Sequence, residues 1–258
     1  MLPETMPVCP VRGSVIYPTM VMPIDAGRPI SIRAIDEALA RDRVLLIVSQ
    51  RDKEVETPRP SDPLEVGTAS NILKMRKNPD GSVQVLVQAF ARVRVREWLD
   101  LGDHLEARGE VLADAPGEPI LVKALVREVK DKFQALLKEG KYLAPEVAQF
   151  ILNLEAPAQL ADYVAFYMDF RLEDKQKVLE TANVAERLRA VLVLLEAELA
   201  LIETQRRIQQ QVKEEIDRNQ REYFLREQMK AIQRELHGEE GEQEVEEFRR
   251  KLEALDLS

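Results

Sequence analysis

Cysteine is almost missing: Cys9 alone among 258 residues has no partner for an internal disulfide. That excludes a disulfide-stapled scaffold and fits a reducing, cytoplasmic setting. Histidine is nearly as scarce. His104 and His237 are too few for the usual zinc or triad arrangements, so each reads as a surface imidazole. No apolar run is long enough to cross a bilayer. The first residues, Met1-Leu2-Pro3-Glu4-Thr5, carry neither the basic nor the apolar stretch of a secretion signal, so no membrane partner is expected. There is no glycine-rich phosphate loop of the Walker type and no Gly-x-Gly-x-x-Gly after a strand. Ser14, Ser31, Ser49, Ser61, Ser70 and Ser82 lack a nucleophile elbow. The expectation is a chain with no catalytic, cofactor-binding or metal-ligating residues of its own.

What is present describes a globular protein with a heavily charged exterior: 45% hydrophobic and 32% charged residues, at a formal charge of -9. That charge opposes general attraction to nucleic acid or anionic lipid. The length favours two packed units over one.

Glycine and proline divide the chain. Eight of ten glycines lie at or before Gly140, and no proline follows Pro157, which predicts a turn-rich β region followed by helices. Short apolar runs at residues 8–11, 21–24 and 44–48 read as strands, with one helix between the last two, where Ile32, Ile35 and Leu39 share a face. Residues 68–76 and 82–90 flank Asn78-Pro79-Asp80-Gly81, whose glycine supplies the positive φ of a tight hairpin. Val83, Val85 and Val87, then Val93 and Val95, alternate with polar neighbours at period two. A further strand near residues 104–112 completes a small twisted sheet or half-open barrel.

Beyond residue 118, Leu121, Leu125, Val129, Phe133 and Leu136 line one helical face, with Gly140 as its stop. Residues 145–153, 157–170 and 173–181 read as three more helices, two of them opened by proline. Asn183 with Glu186 three residues on forms a capping box, and no breaker follows until Gly238. Such a helix would be about 80 Å long, so its front half, with Leu188, Leu192, Leu195, Leu199 and Ile202, packs on the bundle and its rear half projects. Gly238-Glu239-Glu240-Gly241-Glu242 reads as an acidic break before another amphipathic segment at Phe248, Leu252 and Leu255. The expected fold is α+β. Its parts are a β-rich domain at residues 1–117, a helical bundle at 118–182, a long helix at 183–237 and a linker at 238–258.

Three surfaces are candidates for binding. Tyr17, Pro18, Met20, Met22 and Pro23, with Met75 near the hairpin, combine adaptable thioethers with prolines that keep the segment at an edge. Core packing is the competing reading of each methionine. Arg92, Arg94 and Arg96, with Lys74, Arg76 and Lys77, could hold phosphates, but no interleaved aromatic platform accompanies them, and a soluble β face explains them equally well. Tyr223, Phe224, Met229 and Ile232 on the long helix await a partner helix, since an isolated helix gains little from propensity alone.

Residues 219–236, with Tyr223-Phe224-Leu225-Arg226-Glu227-Gln228-Met229-Lys230 at their centre, resemble the long-helix signature of Lon, the ATP-dependent serine protease of the AAA+ class, in its bacterial LonA form. Pro10-Val11-Arg12, Tyr17-Pro18, Pro23-Ile24 and Gly27-Arg28 resemble the opening of its N-terminal domain. Asp80-Gly81 and Arg92-Val93 resemble its hairpin, and Leu160-Ala161-Asp162 and Lys175-Gln176-Lys177-Val178-Leu179-Glu180 its bundle. Ala89 stands where that family usually has glycine, and Cys9 where an aliphatic residue is commoner. The resemblance implies a PUA-like β domain, a bundle and a long helix, with an ATPase module that uses ATP and magnesium and a serine-lysine peptidase module both following Ser258. It also implies capture of unfolded, damaged or degron-bearing proteins and assembly of a homohexamer. An architectural spacer without recognition, or a nucleic-acid module on the arginine face, are the alternatives.

Overall fold

The computed structural model describes residues 2–139 and 143–255, and the side chains of its last helix up to Glu235 and over 245–252. The expected helix stop at Gly140 and the side chains of His237 and Leu255 lie outside the described residues. The chain divides into two units, Met1–Leu199 and Ala200–Ser258.

In the first unit, β1 (Met6–Val11), β2 (Val21–Ala26), α1 (Pro29–Ala40), β3 (Val44–Ser49), β4 (Val66–Lys77), β5 (Val83–Asp100) and β6 (Leu105–Val111) follow in order. The strand order is β2-β5-β4-β3-β1-β6, and β5 also pairs with β6. Five strands therefore close into a barrel. The sequence pattern leaves a half-open barrel; the length of β5 closes it, because its first half pairs with β2 and β4 and its second with β4 and β6. β1 and β3 are the parallel pair, Val8 opposite Leu46, and α1 belongs to their crossover connection.

Two apolar clusters cover the two faces of this sheet. Met6, Val8, Leu46, Val48, Ala69, Val93, Leu105 and Ala107 come from all five barrel strands and fill its interior. Outside, Ala34, Ile35 and Ala38 of α1 pack with Leu45, Ile47, Ile72, Val83, Val85, Val87 and Ala89. Along β5 the odd-numbered residues thus change cluster between Ala89 and Val93. The register shift opposite Ala69 and Ser70 leaves Phe90 without a partner, and an extra residue of this kind turns the strand over. Gly67 lies where a Cβ would come within 2.3 Å of Val48 Cγ1 and 2.5 Å of the Ile47 carbonyl oxygen, so the barrel wall admits only glycine there. The hairpin turns as expected, with Gly81 at φ 85 and the Asn78 amide donating to the Ser82 carbonyl at 2.8 Å.

α2 (Pro119–Lys138), α3 (Pro145–Leu152), α4 (Pro157–Tyr167) and α5 (Leu172–Glu180) form the bundle, the first three opened by proline at their first turn. Leu125, Val129, Phe133 and Leu136 of α2 are buried, the face that the spacing selects. α6 (Val184–Leu255) follows. Its start is fixed by Asn183, whose side-chain oxygen accepts from the amides of Ala185 and Glu186 at 3.0 and 3.1 Å. The helix does not stop at Gly238: helical backbone continues through Gly238 and Gly241 to Leu255. Each glycine costs about 1 kcal/mol in a helix, and the glutamates and glutamine around them are strong enough helix formers for the turn to propagate. Residues 184–199 belong to the first unit, with Leu188, Val191 and Leu195 buried.

A polar seam joins barrel to bundle. Arg92 on β5 donates to the Leu179 carbonyl at 3.1 Å and pairs with Asp162 on α4 and, at 3.1 Å, with Asp114. Arg187 on α6 meets the same Asp114 oxygen at 2.6 Å. Gln176 donates to the Val66 carbonyl at 2.9 Å.

Candidate functional site

The side chains expected to bind together are separated by burial. Tyr17 is fully buried, and its hydroxyl donates to the Lys175 carbonyl at 2.8 Å; burial pushes its phenol pKa well up. Met20 is buried as well. These two do not reach the surface, and between them Thr19, a non-glycine residue, is exposed at φ 70. Pro18 and Met22 are half-buried, Met22 against the outer cluster, and Pro23 and Met75 are exposed.

The basic stripe is also dispersed. Arg92 is buried in the seam, where phosphates cannot reach it. Arg94 is half-buried, and Arg96 is exposed but paired with Glu110. Three arginines at alternate positions of one strand thus lie in different surroundings, and the shift between Val95 and Glu97 leaves Arg96 without a register partner on β6. Lys74, Arg76 and Lys77 remain exposed on the hairpin.

Beside Met75, which the sequence already singles out, sequence reading misses apolar side chains left outside on three adjacent strands. Val21 on β2 is 53% exposed, Leu73 and Met75 on β4 are 42% and 36%, and Phe90 on β5 is 38%. Leu73 and Phe90 are the unpaired residues at the two register shifts between β4 and β5. Bulges re-aim side chains, and no composition cue marks where they fall. Beside these strands opens a groove of about 460 Å³, its walls including Val11, Ile16, Met22, Pro23, Ile24 and Ala26, with Arg12 and Arg28 among the lining residues. Cys9 also lines it, but burial pushes its thiol up to about 11, so it contributes as an apolar side chain.

A row of rings marks the bundle: Phe150 and Tyr163 meet edge to face at 5.1 Å, and Tyr163 and Tyr167 stack at 6.4 Å. Among the described residues no group of three or more His, Cys, Asp or Glu side chains is arranged to hold a metal. No helix there is long and apolar enough to cross a membrane.

In the second unit Tyr223, Phe224, Met229 and Ile232 are all exposed, as are Leu201, Ile208, Val212 and Ile216. At about 100° per residue, Leu201, Ile208, Val212, Ile216 and Tyr223 fall within an arc of about 80°, whereas Leu225, Met229 and Ile232 lie on the opposite side. The apolar face changes side next to Phe224.

Comparison with known proteins gives this arrangement a context. Residues 5–197 match the family model described as the substrate-binding domain of ATP-dependent protease La (LON). The chain is 97% identical over 257 residues to Lon protease 2 of Thermus thermophilus, covering 100% of this chain and 32% of that protein. It is 38% identical over 252 residues to Lon protease of Escherichia coli K12, covering 97% of this chain and again 32% of the relative. The chain thus spans about a third of the length of these relatives. Among solved structures, the N-terminal domain of Mycobacterium avium complex Lon protease superposes with a TM-score of 0.62 at 26% identity, covering 75% of this chain and 98% of that one. A Lon N-terminal domain protein from Xanthomonas campestris, at 13% identity and a TM-score of 0.50 over 73% of this chain and 97% of that one, shares the fold. Barrel, bundle and the start of α6 all fall within the matched region, and the chain belongs to the Lon substrate-binding domain family.

Proposed function

We propose that this chain captures unfolded, damaged or degron-bearing proteins and passes them to an ATPase and a serine-lysine peptidase elsewhere in a longer protein, of which it supplies the part that does no chemistry. ATP and magnesium would act in that other part. The observation that carries the reading is the set of exposed apolar side chains on the adjacent strands β2, β4 and β5, namely Val21, Leu73, Met75 and Phe90, together with the apolar-walled groove that β2 helps to line. An apolar-walled groove on the surface marks an interaction site, and thioethers and a phenyl ring adapt to many partners.

Affinity per copy is low. Burial contributes about 25 cal/mol per Å² before ordering costs are subtracted, so useful capture depends on several copies acting together. The apolar arc of α6 supports assembly: an exposed helix with Leu201, Ile208, Val212, Ile216 and Tyr223 on one side is stabilised by packing against another helix. A homohexamer in the cytoplasm is the assembly we assign to the longer protein.

Amide shifts of this chain, titrated with a folded protein and with a permanently unfolded form of the same protein, test the reading. Shifts confined to β2, β4, β5 and the groove, with the unfolded form only, are expected; equal or absent responses reject it. Removing residues 2–111 from the longer protein separates capture from architecture, since unchanged substrate choice in an intact assembly favours a spacer.

A further inference from the structure

Two guanidinium groups meet at the mouth of the groove. Arg28 is held by its surroundings: it donates to the Gln50 side-chain oxygen at 2.8 Å, to the Pro10 carbonyl at 2.5 Å and to the Val55 carbonyl at 3.4 Å. Arg12 shares that last acceptor at 3.2 Å and pairs with exposed Glu56 at 3.0 Å, all through Nη2. Its Nε and Nη1 make no hydrogen bond among the described residues. Burial first, and then the neighbouring Arg12, hold the Arg28 pKa below the usual guanidinium range. Opposing them, Glu56 is engaged by Arg12, and Asp25, also lining the groove, accepts from Gln84 at 2.8 Å. A chain of net charge -9 thus places two cations, one with free donors, next to its apolar groove.

We infer that the groove selects extended segments in which an apolar residue is followed by an acidic one, the apolar side chain entering between Val11, Ile16, Met22 and Ile24 and the side-chain carboxylate meeting Arg12. This deepens the capture proposed above and rests on it. A free Nε and Nη1 give the carboxylate charge-assisted donors, while the fixed Arg28 adds field without moving. A neutral segment gains only the apolar part, and a basic one meets like charge.

The test uses the whole chain and three synthetic peptides of one length that share a Leu-Phe core: a Glu-Glu peptide with both ends blocked, its Gln-Gln counterpart, and the Gln-Gln peptide with a free C-terminal carboxylate. Binding is read by fluorescence anisotropy at low salt, and its location by amide shifts of Met22, Ile24 and Gly27. The expected result is that the Glu peptide binds about two- to fivefold tighter than the blocked Gln peptide, the range of one partly exposed charge pair. Arg12→Gln brings the ratio of the Glu and blocked Gln peptide affinities down to about one. Because the chain is acidic overall, general electrostatics alone makes the Glu peptide bind more weakly; that order, or equality of the two, overturns the inference while leaving apolar capture standing. If the free-terminus Gln peptide matches the Glu peptide, recognition belongs to chain ends and the inference fails in the form given. If no peptide shifts the groove amides, capture at this site fails together with it.

Discussion

Arg92 on β5 and Asp162 on α4 form an ion pair across the barrel-bundle junction in which both side chains are 3% exposed. Neither has water to fall back on. Arg187 lies 3.6 Å from the same Asp162 oxygen and 2.6 Å from Asp114, so two arginines and two aspartates from four parts of the chain share one seam, buried except at Asp114, whose side chain is 39% exposed.

Arg92→Met is therefore expected to destabilise the first unit by about 3–5 kcal/mol, the usual consequence of leaving one partner of a buried pair behind. Asp162 would keep only Arg187, and the Leu179 carbonyl would lose its donor. Urea unfolding followed by far-ultraviolet circular dichroism measures this. A loss below about 1 kcal/mol would mean that the seam is satisfied by water.

Asp162 also predicts a pH dependence. Desolvation, only partly offset by Arg92 and Arg187, raises its pKa from 3.8 to about 6. The folded chain thus holds the proton more tightly than the unfolded one, and the contribution is fully present below the unfolded value and lost as pH rises through about 6. Measured against Asp162→Asn, which does not titrate, the stability of the native chain should rise as pH falls from about 7 toward about 4. The opposite slope would show that the two guanidinium groups outweigh burial.

Gly67→Ala should cost about 1–3 kcal/mol, since one added methyl overpacks the barrel wall. The obstruction includes the Ile47 carbonyl oxygen at 2.5 Å, which cannot rotate away as a side chain does. Thermal unfolding reads the loss, and a midpoint within a degree of the native one would refute the closeness of β3 and β4 there.

Phe90→Ser combined with Val21→Ser should leave stability within about 1 kcal/mol, because exposed positions contribute little. Binding of a reduced, carboxymethylated protein should weaken severalfold. Calorimetry of both quantities separates the effects; unaltered binding would place capture elsewhere.

Local sequence was enough for most elements. Prolines at 119, 145 and 157 open three helices where an unpaired first-turn amide costs nothing, Gly81 turns the hairpin, and Asn183 starts α6. Such features need only neighbouring residues to act. The acidic break at Gly238 was misleading because a helix with strong formers on either side tolerates two glycines.

Sequence by itself determined the order and kind of the elements, the division into β-rich and helical parts, and membership of its family, since all of these are written in short-range patterns. The tertiary structure alone decided which residues face outward. Arg92 and Arg96 stand at alternate positions of the same strand yet one is buried and the other exposed, Tyr17 and Met20 turn inward while Phe90 turns out, and the barrel closes only when β5 finds β6. Bulges and pairing between distant strands set these outcomes, and their energies depend on partners that no local window of sequence contains.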